Sequence, residues 1–369
     1  METVGRKQFA KMLAERVWEH RFPLQGMFEL TPVCNLDCKM CYVHLPEDQA
    51  KQRMLTGDQW IALMDEAISA GMLYALLTGG EALTHPDFWR IYDHLKRKGI
   101  RIQLKSNGVL LRGETLERLA AMPPDPLDIS LYGCNAESYR AVTGLDVFDR
   151  VTENIRAARD AGLHVRLMVT PSRAMMPWVE ETLRFAKGFG LPVFVNGLLI
   201  SPRKETGRDM NDFGLSAEES IEIQRKGREI LKTDTVLMDE EPIMDTEREE
   251  PFPAIGLPCP AGQSQFAVRW YGGMAPCIGF PPNLMESDSR QLGFRTAWEK
   301  ISMESEKYAI PEDCQECSLN TKCHYCPAFH GEQAIQHQCD KEFCKYAHLR
   351  EISLKEEINN GRTEREKRV

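Results

Sequence analysis

Cys34–Tyr42 reads CNLDCKMCY, three cysteines separated by three and then two residues, directly after the short apolar run LQGMFELT (24–31). Four protein ligands close a structural zinc tetrahedron, and this loop supplies three. Three thiolates on one short loop suit a cubane iron–sulfur cluster instead, each cysteine holding one iron and the fourth iron left without a protein ligand. Such a vacancy is a liability unless a substrate or cofactor takes it. A zinc site completed by a distant fourth ligand is the competing reading of the same spacing.

From about 25 to 200, short apolar runs alternate with helical patterns. After LQGMFELT come LYALLTG (73–79), IRIQLKS (100–106), LDISLY (127–132), HVRLMVT (164–170) and VFVNGLLI (193–200). Between them, TGDQWIALMDEAISAG (56–71) opens with the Thr56/Gln59 spacing of a capping box, and VFDRVTENIRAARDAG (147–162) has helical periodicity. Six βα units in series predict parallel strands with right-handed crossovers. Six are too few for the full eight-stranded barrel, so the expected fold is α/β, a partial (β/α)6 barrel. The cysteine loop follows the first strand, TGGE (Thr78, Gly79, Gly80, Glu81) the second, SNG (Ser106–Gly108) the third and SLYG (Ser130–Gly133) the fourth. Function in parallel α/β barrels gathers at the carboxyl ends of the strands, so these segments face one mouth. There Gly79 and Gly80 bare the backbone to a ligand's charged amino group, and Glu81 offers an acceptor beside it. Ser106 and Ser130 can bond a ribose or a carboxylate. Taken singly these signals are weak, since SNG alone is an ordinary turn; their shared position carries the argument.

The chain of 369 residues has 46 basic and 55 acidic side chains and a formal charge of −9, which argues against a dedicated nucleic-acid surface. Its amino end is charged and amphipathic rather than signal-like, and no apolar run is long enough to span a membrane, so it reads as soluble and cytoplasmic. Of twelve cysteines, three lie at 34–41, eight at 259–344, and Cys134 stands alone. In a reducing compartment such clusters are metal ligands rather than disulfides. The expected organisation is an N-terminal helix (1–24), the barrel (25–202), a bridging segment (203–254), a cysteine-rich domain (255–349) and a polar tail (350–369). The bridging segment holds SAEESIEIQRKGREILK (216–232), with a Ser216/Glu219 capping box, and the acidic run DEEPIMDTEREEP (239–251), which reads as a solvated loop. The cysteine-rich domain has little room for an apolar core and needs metal to hold it.

At this point CNLDCKMCY and LLTGGEAL resemble the radical S-adenosylmethionine superfamily. Its motif is CxxxCxΦC; here Φ is Met40, followed by Tyr42. The resemblance implies that Cys34, Cys38 and Cys41 hold a 4Fe–4S cluster. It also implies that the methionine amino group and carboxylate of S-adenosylmethionine chelate the open iron. Tyr42, Thr78, Gly79, Gly80, Glu81, Ser106, Asn107 and Ser130 become cofactor-binding candidates, with Gly-Gly-Glu meeting the amino group. One electron then cleaves the sulfonium, and a 5′-deoxyadenosyl radical takes a hydrogen atom from an unreactive carbon. Arg166 and Thr170 can reach the cofactor carboxylate, although an ordinary ion pair suits Arg166 as well. Cys134 is a candidate radical relay or acid, or a half-buried structural cysteine.

On spacing alone, Cys314, Cys317, Cys323 and Cys326 (CQECSLNTKCHYC) fit a zinc ribbon. The stretch also resembles the SPASM extension of peptide and protein maturases, which holds two auxiliary 4Fe–4S clusters. One departure is that Cys323 and Cys326 are separated by two residues rather than three. By that resemblance Cys259, Cys277 and Cys326 hold the first auxiliary cluster, and Cys314, Cys317, Cys323 and Cys344 the second. Cys339 is either the missing ligand of the first or a rival to Cys344. If the first stays open, its iron can take a substrate thiolate, as in thioether-forming relatives; if both are closed, they serve electron transfer or fold stability. His324 and His330 flank the cysteines and are read as lying outside the clusters. The resemblance covers about 25–349 and implies a peptide or protein substrate and a reductant such as flavodoxin or ferredoxin. Too little chain precedes the barrel for a winged-helix leader-binding domain, so leader recognition would fall to a separate protein or the barrel rim. The alternatives are a small-molecule substrate or a non-enzymatic metal-binding module.

Overall fold

The computed structural model describes residues 16, 20–231 and 255–366, apart from 283, 322, 324 and 337. The acidic run 239–251, His324 and most of the expected N-terminal helix lie outside the described residues. Each of the six apolar runs contains a strand: β1 Gln25–Glu29, β2 Tyr74–Thr78, β3 Arg101–Ser106, β4 Leu127–Ser130, β5 Val165–Val169 and β6 Val193–Val195. They pair in chain order, all parallel, with Gln25 opposite Tyr74 and Glu29 opposite Thr78 at the first seam.

The crossover helices are amphipathic because their apolar residues recur every three or four positions. Helix α1 (Gly57–Ser69) buries Trp60, Leu63, Met64 and Ala67. Its cap forms as the sequence requires: the Thr56 hydroxyl accepts from Gln59 N (3.3 Å), and Gln59 Oε1 accepts from Thr56 N (2.9 Å). Helices α2 (Phe88–Arg97), α3 (Glu114–Ala121), α4 (Ala136–Thr143), α5 (Phe148–Asp160) and α6 (Val179–Lys187) follow. One continuous core runs beneath them from Phe28 to Ile301.

The sheet does not stop at six strands. A seventh, β7 (Gln265–Val268), comes from the cysteine-rich segment and pairs parallel with β1, Gln25 opposite Gln265. Two antiparallel strands, β8 (Gly273–Ala275) and β9 (Ser287–Asp288), extend it, giving the order β6-β5-β4-β3-β2-β1-β7-β8-β9. The expected boundary at 255 is therefore not a boundary of the sheet. Capping the exposed edge of β1 satisfies its backbone groups, and Phe266 packs edge-on against Phe28, with ring centroids 5.8 Å apart. Helix α7 (Ser289–Glu306) lies over α1, where Phe294 N donates to Glu66 Oε2 (2.8 Å). The segment still keeps a small core of its own, including Leu257, Phe280, Tyr308 and Tyr325.

Helix α8 (Ala217–Leu231) starts at the anticipated Ser216/Glu219 box, Ser216 N donating to Glu219 Oε2 (2.8 Å). It packs against the long α9 (Lys341–Glu366), Gln224 Nε2 donating to the Tyr346 hydroxyl (2.6 Å). The expected division at 349/350 falls inside that helix. Among the described residues no helix is long and apolar enough to cross a membrane.

At the mouth, Glu29 from the end of β1 is fully buried and meets Arg203 at 2.6 Å. Arg203 N also donates to Tyr42 O (3.1 Å), so this pair joins the sheet, the cysteine loop and the segment beyond β6. Because the remaining oxygen, Glu29 Oε2, has no hydrogen-bond partner among the described residues, removing the cation strands a buried carboxylate. Arg203→Met is expected to destabilise the protein by about 3–5 kcal/mol in denaturant unfolding, and Glu29→Leu with Arg203→Met to recover most of that loss.

Candidate active site

The cysteine loop has little regular structure and is held from three sides. Its backbone hangs on the end of α4, Asp37 N donating to Thr143 O (3.0 Å) and Lys39 N to Val142 O (3.1 Å). Asn107, just beyond β3, donates from Nδ2 to Asn35 Oδ1 (2.7 Å) and to Cys34 Sγ (3.5 Å). The third support is TGGE: Gly80 N donates to Thr31 O (2.7 Å) and Glu81 N to Val33 O (3.0 Å).

That third contact explains the two glycines differently from the sequence reading. Gly79 has φ +148°, and a Cβ there would lie 2.3 Å from Thr31 O. A Cβ on Gly80 would lie 2.5 Å from Val33 O and 2.6 Å from Pro32 O. Both positions are closed to larger residues by the chain entering the cysteine loop, and both still line the pocket in front of it.

Cys34, Cys38 and Cys41 share that pocket with Tyr42, Thr78, Ser106, Asn107, Ser130 and Thr170, all at the carboxyl ends of strands or just beyond. Glu81 does not line it. Its carboxylate faces inward and accepts from Asn107 N (2.7 Å), Ser106 Oγ (3.1 Å) and Leu83 N (3.2 Å), tying the end of β2 to the end of β3. Burial pushes this carboxyl up to about 7, against the pull of those three donors. Ser106 is committed as well, since its hydroxyl also accepts from Gly108 N (3.1 Å). Arg166 forms the ion pair, gripping buried Asp128 with Nε (2.7 Å) and Nη2 (3.0 Å). Cys134 is absent from the pocket; its thiol lies 3.6 Å from Glu181 Oε2 on α6.

Lys105 was missed in the sequence. Among the described residues it is the one basic side chain lining the pocket, and it has no ion-pair or hydrogen-bond partner there. The available signal was its position in IRIQLKS, one residue before the Ser106 that ends β3 and on the opposite face from buried Leu104. Tyr132, beside Cys38, and Asn196, after β6, also line the pocket.

The later cysteines fall into two groups. Cys277 lies near Cys259 and Cys326, and burial followed by their charges raises its thiol pKa. Cys314, Cys317, Cys323, Cys339 and Cys344 line a second cavity of about 190 Å³. Cys339 thus sits with Cys314 and Cys344 rather than at the first group, because it directly precedes the helix that carries Cys344. Cys326 lies apart from the other three members of a CQECSLNTKCHYC ribbon.

Both cavities are walled by several thiols. Among the described residues no three His, Cys, Asp or Glu side chains converge on one metal position. Protein interiors leave few voids larger than a water molecule, so thiol-lined cavities of this size are built spaces. Burial pushes Cys34 and Cys323 up to about 12, which makes a bare thiolate costly and a cationic iron partner favourable. A Cβ on Gly80 meets backbone oxygens that cannot swing aside, so Gly80→Ala is expected to displace the cysteine loop while circular dichroism reports whether the rest of the fold persists. The variant should lose about four irons per chain after reconstitution. Asn107→Ala, which removes one support, should show a smaller loss in the same iron assay.

The family model described as the Radical SAM superfamily matches residues 28–186. The AdoMet-dependent heme synthase of Methanosarcina barkeri is 27% identical over 320 residues, which span 82% of this chain and 90% of that protein. The mycofactocin maturase MftC of Mycobacterium tuberculosis is 28% identical over 221 residues, 58% of this chain and 55% of the maturase. The chain therefore spans about half the length of that maturase. In fold, it resembles the crystal structure of Streptococcus suis SuiB bound to precursor peptide SuiA, with a TM-score of 0.67 at 16% identity, covering 90% of this chain and 79% of SuiB. The matched segment runs from β1 to within α6 and encloses the cysteine loop, so this part of the chain is a radical SAM domain.

Proposed function

We propose that this enzyme removes a hydrogen atom from a side chain of a peptide or protein, leaving a crosslink, a thioether or an oxidised residue. The observation that carries the reading is the single pocket shared by Cys34, Cys38 and Cys41 with the glycine turn and the ends of β2 to β5. Cys34, Cys38 and Cys41 would hold a 4Fe–4S cluster there, which with S-adenosylmethionine would supply radical hydrogen-atom abstraction. The residues present divide the remaining work. Gly79 and Gly80 would present backbone to the methionine amino group, and Ser130 and Thr170 would offer hydroxyls farther round the mouth. Lys105 meets a carboxylate, the task assigned in the sequence to Arg166. Met168, Leu198, Leu199 and Ile278 give the pocket an apolar wall that keeps water from a reactive intermediate.

The peptide assignment is supported by the resemblance to MftC and by the SuiB fold, whose structure holds a precursor peptide. The long match to the heme synthase favours a second reading, a small-molecule substrate. Deuterium transfer into 5′-deoxyadenosine from a perdeuterated candidate peptide, set against a perdeuterated small molecule, separates the two. We further assign the two C-terminal cysteine groups to auxiliary 4Fe–4S clusters, and place the enzyme in the cytoplasm with a flavodoxin- or ferredoxin-type reductant. Three clusters predict about twelve irons per chain, falling to about eight in a Cys34/Cys38/Cys41→Ala variant that also stops forming 5′-deoxyadenosine. A native protein holding about four irons plus zinc would remove the auxiliary pair.

Lys105→Gln is expected to weaken S-adenosylhomocysteine binding about tenfold by calorimetry, the loss of roughly one charge-assisted hydrogen bond. Methylthioadenosine, which lacks the amino acid, should bind the variant and the native enzyme equally.

A further inference from the structure

His330 flanks Cys326 in sequence and was read as lying outside the clusters. Its ring is 1% exposed and fixed on two faces, stacked on Tyr325 (centroids 4.6 Å apart) and edge-on to Phe343 (4.7 Å). Its Nδ1 accepts the backbone N–H of Asp340 at 2.8 Å. A ring nitrogen that accepts a hydrogen bond carries no proton, so the neutral ring is protonated on Nε2. Burial lowers the pKa of this imidazole to about 4, which keeps the ring neutral under ordinary conditions. Nε2 is itself buried and has no partner among the described residues. The ring lines the cavity walled by Cys314, Cys317, Cys323, Cys339 and Cys344.

A buried donor without an acceptor is costly and rare, and it marks a place where a group absent from the protein chain belongs. His330 is poorly placed to ligate iron, because a lone pair on Nε2 would move the proton to Nδ1, against the Asp340 N–H. Five thiols already surround a site that needs four. We propose that His330 donates from Nε2 to a sulfur of the cluster held by these cysteines, either a thiolate or a bridging sulfide, and so raises its reduction potential. Reduction adds one electron to the cluster, and a hydrogen bond to sulfur stabilises the more negative state more. His330 is thus a positioning residue that sets which auxiliary site holds the electron. The inference rests on the auxiliary-cluster reading above.

The test uses the full chain, reconstituted anaerobically in the Cys34/Cys38/Cys41→Ala background so that only auxiliary clusters report. In an EPR-monitored redox titration, His330→Phe keeps the aromatic packing and should move one midpoint to lower potential. His330→Gln, which retains an N–H donor, should bring it part of the way back, with iron content and the other midpoint unchanged. Unchanged midpoints at full iron content overturn the proposal. Zinc in place of iron in the parent protein overturns the auxiliary reading itself, a distinguishable failure. Should the Phe variant not fold, the unsubstituted ring can be probed with 15N-histidine and pulsed EPR. A His348→Gln background is used there because His348 Nε2 lies 3.8 Å from Cys317 Sγ. A nitrogen coupling to the reduced cluster supports the hydrogen bond, and its absence overturns it.

Discussion

The approach of Gly79 and Gly80 to the backbone of Thr31–Val33 is the contact on which the site depends. The cysteine loop has a few internal hydrogen bonds, such as Cys41 N to Cys38 O (3.0 Å), and much of its shape comes from what touches it. With no Cβ at either glycine, the turn after β2 fits beneath the loop and donates two backbone hydrogen bonds to it. Glu81 continues the same construction by collecting the donors of β3 behind the turn. A carboxylate buried there, with its pKa near neutrality, is tolerated because three donors converge on it. Asn107 then returns the connection to Cys34. The residues a family motif marks as cofactor-binding are thus, in large part, the scaffold that shapes the cysteine loop.

Committed and uncommitted groups in the pocket separate its roles. Arg166, Gln103 and Asp128 form a closed polar set on adjacent strands, with Gln103 Nε2 donating to Asp128 Oδ2 (2.6 Å). Charge satisfied in this way adds little to ligand recognition. Lys105 stands opposite Asp128 in the strand register yet has no ion-pair or hydrogen-bond partner among the described residues. An unpaired ammonium beside a neutralised carboxylate leaves the pocket with a net attraction for anions.

The C-terminal segment is one piece of chain with two physical tasks. Its first half closes the open edge of β1 and shares the barrel's core through Phe266 and Phe294, so the barrel is incomplete without it. Its second half has a small apolar core, and eight cysteines span the two halves. Fastening the cysteine-rich portion to the sheet by a parallel strand holds it beside the mouth, where Ile278, next to Cys277, reaches the pocket wall.

The local sequence determined the parallel strands, their order and the capping boxes. Hydrophobic period and cap chemistry are local properties, readable within a dozen residues. The cysteine motif stood out for the same reason, since its spacing lies within one short stretch of sequence. What only the tertiary structure decided depends on contacts between distant segments. Nothing in QFAV (265–268) says that it will pair with β1. TGGE does not show that Glu81 faces inward, nor does HVRLMVT show that Arg166 is occupied by Asp128. Cys134 follows a strand as Cys34 does, yet the turn of α4 carries it away from the mouth toward α6. Cys339 and His330 meet at one cavity because of the way α9 folds back over it, a contact that spacing, which constrains only neighbours, does not show.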